Sequence, residues 1–294
     1  MRPRIMRHLK PLDVRAERRN IAVVVTVDGL SQELVTAVEQ RTAHIVDTLD
    51  AVDDDALLAP TDLPGWSRLT IACHLRYGAE ALCRMTGGAV AGESTAYYPG
   101  GREQQRPLTL LPYPGERPID VVTSLAHHSD ELSQAWFSLD EDGWRLEVTE
   151  PVDNPDLGPL SVARLPLLRL TEVEVHGSDL GLGLDDWSEL FVRVALPVRL
   201  DWLNTRRSNH RGFDASVAGS WLLVATDGPT YLVTVTGSTV ESHPATSSSP
   251  ARAVVEATSR DLLALLLGRS FRTPPRVSGD VAFGHAFGRA FPGP

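Results

Sequence analysis

The sequence predicts two structural units, a bundle of four helices followed by a small α+β domain. Four segments before residue 183 repeat apolar residues at helical spacing, and long connections separate some of them. Beyond Gly219 the apolar residues alternate with a period of two, which is typical of strands. The 294 residues are enough to bury a substantial core in one large domain or two ordinary ones.

The expected division of the chain follows from these patterns and from charge. We expect a basic N-terminal extension over residues 1–29, the bundle over 30–183, a helical connector over 184–218 and the α+β domain over 219–294. Seven basic and three acidic residues give residues 1–29 a net charge of +4. We interpret this arm as a poorly ordered extension or an upstream start, with contact to an acidic partner as the alternative.

The first two helices are separated by an acidic run and a Pro-Gly turn. The first begins near Ser31, and its buried face consists of Leu34, Val38, Ile45 and Leu49. Ser67 caps the second helix, which ends at Gly87-Gly88. Residues 88–118 are rich in glycine, proline and tyrosine without periodicity, so we expect a long loop there.

Two further helices complete the bundle. The third begins at Pro118, and its apolar face consists of Val122, Leu125, Leu132, Trp136 and Leu139. The fourth runs from about Leu165 to Asp179, with Pro166 in its first turn. Gly181 or Gly183 is expected to end it.

The second unit begins after a helical segment over residues 190–203, which Pro197 should kink. A hairpin is predicted from strands at Trp221–Thr226 and Thr230–Thr236, joined by an Asp-Gly turn. Another strand is expected at Ala251–Ala257, after a short polar linker. Thr258 and Asp261 then form a capping box for a helix over 262–267, which Gly268 ends.

Charge and cysteine usage exclude several classes of protein. The formal net charge of −10 argues against a general nucleic-acid binder, and arginine supplies every basic residue except Lys10. Cys73 and Cys83 cannot form a disulfide framework, which predicts a reduced, cytoplasmic protein. No apolar run reaches the roughly 18 residues that a membrane span needs.

A carboxylate interrupts the apolar stripe of the fourth helix. Glu172 lies on this seam, and His176 follows one turn later on nearly the same face. His74 lies beside the inward stripe of the second helix. A Glu and a His one turn apart can reach one metal ion, as can a His from a facing helix. Three such ligands leave a fourth position for water or substrate, which is typical of catalytic zinc.

Other interpretations of these three residues remain open from spacing alone. An inward histidine is most often a hydrogen-bonded core residue. Glu172 could instead form an ion pair with an arginine, the candidates being Arg76, Arg164 and Arg169. Glu174 is an alternative carboxylate, although at two positions from His176 it points across the helix.

The third helix carries a second histidine cluster, His127 and His128. His128 could face inward and contribute a ligand. A solvated or capping pair is the simpler interpretation.

Three short motifs occur in order in the helical unit. They are Leu63-Pro64-Gly65-Trp66-Ser67, then His74-Leu75, then Arg169-x-x-Glu172-x-x-x-His176-x-x-Asp179-Leu180. Their combination resembles the mycothiol-dependent maleylpyruvate isomerase family, within the DinB-like metal-binding superfamily. The resemblance implies a DinB-like four-helix bundle in which His74, Glu172 and His176 bind a divalent metal, most simply zinc, and act in catalysis.

The resemblance extends over residues 30–290. The segments Leu262–Arg269 and Ser278–Asp280 are similar to the sterol-carrier-like C-terminal domain of that family. Mycothiol, the cysteinyl sugar thiol of actinobacteria, is the implied cosubstrate. A nearby cation lowers the pKa of a thiol from about 8.5, so that thiolate exists at neutral pH. We therefore expect the reacting sulfur to come from mycothiol and not from Cys73 or Cys83.

The chemical outcome depends on the electrophile. An isomerase adds the thiolate to a conjugated double bond and expels it after rotation, whereas a transferase keeps the thiol in the product. The aromatic segment Tyr97–Arg102 and residues 108–118 suggest a longer loop than a compact isomerase needs. We therefore predict a metal-dependent mycothiol S-transferase acting on a small-molecule electrophile, with a maleylpyruvate-type cis-trans isomerase as the alternative. A non-catalytic thiol- or lipid-binding module is the second alternative.

Candidate residues for holding the thiol or a substrate carboxylate are Arg102, Arg269 and Tyr98. Arginine offers bidentate contacts to anions, although Arg269 could instead complement a helix dipole. The expected partners are small molecules only, with neither nucleic acid nor membrane, and the expected assembly is a monomer or homodimer.

Overall fold

The computed structural model describes residues 27–206, 217–237, 239–291 and 293. It contains helices followed by a mixed sheet with helices, as the sequence predicts in outline. Most of the basic extension predicted over 1–29 lies outside the described residues. None of the helices within the described ranges is long and apolar enough to cross a bilayer.

Eight helices precede the main sheet in the described part of the chain. They are α1 (Val27–Asp50), α2 (Asp54–Leu58), α3 (Arg68–Ala91), α4 (Arg102–Thr109), α5 (Pro118–Phe137), α6 (Glu141–Arg145), α7 (Leu165–Asp179) and α8 (Glu189–Arg206). The long helices α1, α3, α5 and α7 pack on one another around an apolar core. Between α3 and α5, the indole Nε1 of Trp136 donates a buried hydrogen bond to Thr86 Oγ1 at 3.0 Å.

The four predicted long helices are all present, but the expected end of the second is wrong. Helix α3 continues past Gly87-Gly88 to Ala91, and Gly92 caps it in the left-handed conformation at φ +69°. Gly88 is buried, and a Cβ there would lie 2.1 Å from Thr95 Oγ1. This glycine therefore permits the returning chain to pack closely and does not end the helix.

The long loop expected over 88–118 is also wrong in part. Helix α4 forms within it, beginning after Gly101, whose φ of +83° favours glycine. Its eight residues carry mainly polar side chains, which is why no apolar periodicity marked it. Helix α4 lies against α3, and this position places it beside the candidate site.

Helix α7 has the predicted bounds, with Pro166 in its first turn. Leu180 caps it, and Gly181 and Gly183 follow with φ of +65° and +80°. Helix α8 passes through Pro197 without ending there. It packs on α7, on the main sheet and on the helix over Ser259–Leu267, so the helices before the sheet and the sheet itself share one continuous core.

The strands and remaining helices are short. They are β1 (Glu147–Val148), β2 (Leu160–Ser161), β3 (Gly219–Ala225), β4 (Thr230–Thr236), β5 (Thr239–Ala245), β6 (Ala253–Ala257), β7 (Arg276–Gly279), α9 (Ser259–Leu267), α10 (Val281–His285) and α11 (Phe287–Ala290). Strands β1 and β2 pair with each other, and the main sheet has the order β5-β4-β3-β6-β7.

The predicted hairpin is confirmed as the antiparallel pair β3 and β4, and the predicted third strand is β6, parallel to β3. Thr258 caps α9 by accepting from the backbone N–H of Asp261, and Gly268 ends it at φ +65°. Strand β5 has no counterpart in the prediction. Its largely polar residues lie at the sheet edge, where pairing depends on backbone hydrogen bonds more than on apolar alternation.

Candidate functional site

Three potential metal ligands converge between α3 and α7. Glu172 Oε2 lies 2.8 Å from His74 Nε2 and 3.5 Å from His176 Nε2. The donor atoms of all three residues lie within 4.8 Å of one another. Glu172 and His176 are one turn apart on α7, so α7 presents both to the same point, and the packing of α3 on α7 adds His74.

The donor set fits a divalent cation such as zinc. Two imidazole nitrogens and one carboxylate oxygen are common zinc ligands, and three protein ligands leave a further coordination position. Both Nε2 atoms face the same carboxylate oxygen. The histidine side chains are largely buried, whereas the Glu172 side chain is 42% exposed and faces the cavity described below.

Asp179 determines which nitrogen of His176 can bind a metal. His176 Nδ1 lies 2.9 Å from Asp179 Oδ2, so with a proton on Nδ1 it donates to this carboxylate. The Nε2 atom is then available as a ligand, an arrangement common to metal-binding histidines. Asp179 also accepts two hydrogen bonds from Arg269, at 2.8 Å from Nε and 3.0 Å from the terminal nitrogen.

Trp66 packs against both histidines. Its ring is stacked on His176 at a centroid distance of 5.7 Å and meets His74 edge-on at 5.3 Å. Trp66 comes directly after Gly65, whose φ of +80° turns the chain before α3. The Pro-Gly-Trp motif therefore restrains the orientation of both imidazole rings.

The charges of the three side chains depend on one another. Burial lowers the pKa of His74, and its hydrogen bond to Glu172 offsets this only in part. Burial also acts against a charge on His176, but hydrogen bonds to Asp179 and Glu172 outweigh it and raise its pKa to about 9. Although burial acts in the opposite direction, hydrogen bonds from both histidines hold the pKa of Glu172 well below its usual range.

The three residues line a cavity of about 460 Å³. Apolar side chains form part of its wall, namely Leu63, Leu82, Leu157, Leu168, Val175 and Leu267. Polar and charged side chains form another part, namely Tyr97, Tyr98, Arg102, Arg106, Asp156, Arg169, Thr171, Arg199 and Arg269. A small molecule in this cavity would contact residues of α3, α4, α7 and the end of α9 and reach the candidate ligands.

The structure places all three predicted thiol- or substrate-binding residues in the cavity wall. Arg102 is ion-paired with Asp156 at 2.7 Å and lies 5.5 Å from the ring centre of Tyr98. Tyr98 is buried and stacked on Tyr77. Arg269 forms an ion pair with Asp179, and it also donates to the Leu267 carbonyl near the end of α9. Both arginines are therefore already paired in this structure.

Most of the alternative partners for Glu172 are engaged elsewhere. Arg76 pairs with Glu116 at 2.7 Å, and Arg169 donates to the Leu75 carbonyl at 2.7 Å. Glu174 is buried on another face of α7, where it pairs with Arg41 at 3.1 Å. Glu172 lines the cavity, whereas Glu174 does not.

The second histidine cluster lies away from the cavity wall. His127, His128 and Glu131 form a group on α5 whose ligand atoms are close enough for a metal. His127 and Glu131 are exposed, and His128 is half-buried. Such a group is common on a helix surface without any ion, which agrees with the interpretation of a solvated pair.

Neither cysteine is placed for catalysis. Cys73 is buried, and burial raises its pKa to about 11. Burial also raises the pKa of Cys83. Neither cysteine lines the cavity.

The sequence predicted no individual role for four residues of the site, namely Trp66, Tyr97, Arg106 and Asp179. Trp66 and Asp179 were part of the recognised motifs, and the spacing of Asp179 three positions after His176 could have identified its hydrogen bond. Tyr97 and Arg106 belong to a segment without apolar periodicity, so no local pattern indicated that they line the cavity.

Comparisons with known proteins concern the family and the fold of the chain. Residues 38–181 match the family model of the mycothiol maleylpyruvate isomerase N-terminal domain. A crystal structure of the mycothiol-dependent maleylpyruvate isomerase superposes with a TM-score of 0.62 at 22% identity, covering 84% of this chain and 92% of that chain. A variant of that enzyme with one histidine replaced by alanine gives a TM-score of 0.61 with the same identity and coverage.

At this identity the structural likeness establishes the fold. No curated protein sequence matches the chain. The family predicted from the ordered motifs is confirmed by the family model. The helical part of the chain, residues 38–181, belongs to the mycothiol maleylpyruvate isomerase N-terminal domain family.

Proposed function

We propose that this protein is a metal- and mycothiol-dependent enzyme of the maleylpyruvate isomerase type. The observation that carries the proposal is the convergence of His74, Glu172 and His176 on one point of a cavity within a domain of that family. The S-transferase favoured from the sequence becomes the second candidate. It depended on a long irregular loop, and part of that segment is helix α4.

His74, Glu172 and His176 would hold the divalent cation, with zinc the simplest choice for this donor set. When bound, the cation supplies a positive charge that keeps the sulfur of the cosubstrate as thiolate at neutral pH. Asp179 keeps a proton on Nδ1 of His176 and leaves Nε2 available. Trp66 restrains both histidine rings, so the ligand atoms need little reorganisation.

The isomerisation is balanced without a further reactant. The thiolate sulfur forms a bond to one carbon of a conjugated double bond, which becomes a single bond and can rotate. The same sulfur–carbon bond then breaks, the double bond reforms in the other geometry, and the thiolate is regenerated. Apolar side chains such as Leu63, Leu168 and Val175 limit the access of water to this step.

The same activated thiol could instead remain in the product, and this is the transferase outcome. The two outcomes differ in the electrophile, because transfer requires a leaving group and isomerisation requires only a conjugated double bond. The family and fold matches favour the isomerase type over the transferase.

The proposal also covers the architecture of the chain. We take α1, α3, α5 and α7 as a DinB-like bundle and the sheet with α9–α11 as a sterol-carrier-like domain. Three further features stay predictions: the division of the chain at residues 30–183, 184–218 and 219–294, the monomeric or homodimeric state, and the location in the cytoplasm of an actinobacterium.

Metal content is the first test. Wild-type protein should bind one equivalent of zinc, and His74→Ala and Glu172→Gln should lose it while keeping their circular dichroism spectra. His127→Ala removes an exposed histidine from the other cluster and should keep the metal. Stoichiometric zinc in both His74→Ala and Glu172→Gln would overturn the assigned site.

Product analysis is the second test. Zinc-loaded protein is incubated with mycothiol and maleylpyruvate, and the ultraviolet absorbance and product mass are followed. Changed absorbance at unchanged mass supports the isomerase, whereas a mass gain corresponding to the thiol supports the transferase. Binding of mycothiol with neither product, across a panel of conjugated and leaving-group electrophiles, would instead indicate a non-catalytic module.

A further inference from the structure

Helix α4 presents two arginines to the cavity. Arg102 and Arg106 are one turn apart, so they share a face of the helix, and both line the wall. The first turn of α4 is held in place by two contacts. Gln105 Oε1 accepts from the backbone N–H of Gly100 at 2.8 Å, and Arg102 pairs with Asp156 at 2.7 Å.

The other arginines of the cavity wall have partners within the protein. Arg269 binds both carboxylate oxygens of Asp179. The fully buried Arg169 donates to the Leu75 carbonyl and to Ser129 Oγ, and Arg199 lies over the Trp202 ring. These guanidinium groups are therefore already engaged.

Arg106 differs from these arginines. Among the described residues, its guanidinium forms neither a hydrogen bond nor an ion pair, although the side chain is only partly exposed. Asp156, the carboxylate of the cavity wall closest in the chain to α4, is occupied by Arg102. A half-buried cation without a protein partner in a concave site is available to bind an anionic ligand.

We propose that Arg106 is a specificity-determining residue that binds a carboxylate of the electrophilic substrate. This inference rests on the proposed function and names a residue for which the sequence analysis had no role. A guanidinium binds a carboxylate through two parallel charge-assisted hydrogen bonds, which are about twice as strong as neutral ones. The sugar hydroxyls of the thiol cosubstrate carry no charge, so they would accept hydrogen bonds from the same group without the attraction between opposite charges and without the paired geometry of a carboxylate.

Bound in this way, the carboxylate is fixed at the α4 wall while the electrophilic carbon extends toward His74 and Glu172. Arg106 does not contact the reacting bond in this arrangement, so its contribution is to binding and orientation. Its effect should therefore appear in the KM of the acid more than in kcat.

The kinetic test uses Arg106→Gln and Arg106→Lys, with Arg117→Gln as the matched control. Arg117 is exposed and pairs with Asp120 at the start of α5, outside the cavity wall. The KM for maleylpyruvate should rise about 10- to 100-fold in Arg106→Gln, with a smaller rise in Arg106→Lys. The KM for mycothiol and the zinc content should stay at the wild-type values. An unchanged KM for the acid, or an equal rise for the thiol, would overturn the proposal.

A binding test separates this inference from the proposed function. Maleate is titrated calorimetrically into zinc-loaded wild type, Arg106→Gln and Arg117→Gln, and the uncharged diamide of the same acid serves as the second probe. We expect maleate to bind wild type and Arg117→Gln, to bind Arg106→Gln about 10- to 100-fold more weakly, and to exceed the diamide in affinity. Arg106-dependent maleate binding without isomerase activity supports the carboxylate site and contradicts the proposed function. Isomerase activity with equal maleate affinity in all three proteins contradicts the carboxylate site alone.

Discussion

Asp179→Asn tests whether the candidate metal centre depends on a contact between α7 and the segment that follows α9. The Asp179 carboxylate accepts from His176 Nδ1 at 2.9 Å and from Arg269 at 2.8 and 3.0 Å. Asparagine has nearly the same shape but no negative charge. The guanidinium of Arg269 then lacks a counter-charge, and His176 loses its charged acceptor.

The structure suggests the size of both effects. Removing the acceptor behind a metal-binding histidine costs about 10- to 100-fold in metal affinity, which corresponds to about 1.4–2.8 kcal/mol. The Asp179 and Arg269 side chains are only 8% and 18% exposed, so solvent screens their interaction weakly. Separately from the loss of metal affinity, we expect the free energy of unfolding of the metal-free protein to fall by about 1.5–3 kcal/mol.

Competition with a chromogenic chelator measures zinc affinity, and urea denaturation of the metal-free protein measures stability. Arg269→Gln breaks the same contact but leaves the hydrogen bond between His176 and Asp179 in place. It should lower stability similarly and zinc affinity less. Glu33→Gln, which removes an exposed partner of Arg193, should change neither. Wild-type zinc affinity in Asp179→Asn would refute the assigned role of this carboxylate.

Three other predictions follow from the site and its surroundings. Because the pKa of His176 is about 9 in the metal-free protein, zinc binding at neutral pH must displace the proton on its Nε2. Zinc affinity should therefore rise about tenfold per pH unit from neutral pH toward 9. A pH-independent affinity would contradict this. Gly87→Ala should stabilise α3 by about 0.5–1 kcal/mol in urea denaturation, because no atom lies within 4 Å of the added Cβ. Gly88→Ala should destabilise by about 1–3 kcal/mol because its Cβ would overlap Thr95, and the same sign for both variants would contradict the packing. Cys73, whose pKa is about 11, should react with iodoacetamide at pH 8 more than about 100-fold slower in native than in unfolded protein; equal rates would show that it is accessible.

Local patterns identified the parts of the fold whose signals are contained within one element. The bounds of α7, the Ser67 cap of α3 and the Thr258 cap of α9 all agree with the prediction. The hairpin of β3 and β4 also agrees, because an Asp-Gly turn between alternating strands is a short-range signal.

Elements with weak local signals were missed. Helix α4 has few apolar residues, and β5 carries polar side chains at the edge of the sheet, so neither shows a periodic apolar face. The prediction for the end of α3 is wrong because glycine can either end a helix or allow another segment to pack closely against it. The neighbouring residues in the sequence do not distinguish these two roles.

The sequence by itself determined the candidate ligands on α7, because the i to i+4 spacing of Glu172 and His176 is a property of the helix alone. Only the tertiary structure decided that His74, 98 positions from Glu172, lies 2.8 Å from it, and that Arg269 supports His176 through Asp179. It also decided which arginines of the cavity have partners. Such contacts depend on how elements far apart in the chain pack together, and helical periodicity carries no information about the residues on the facing surface.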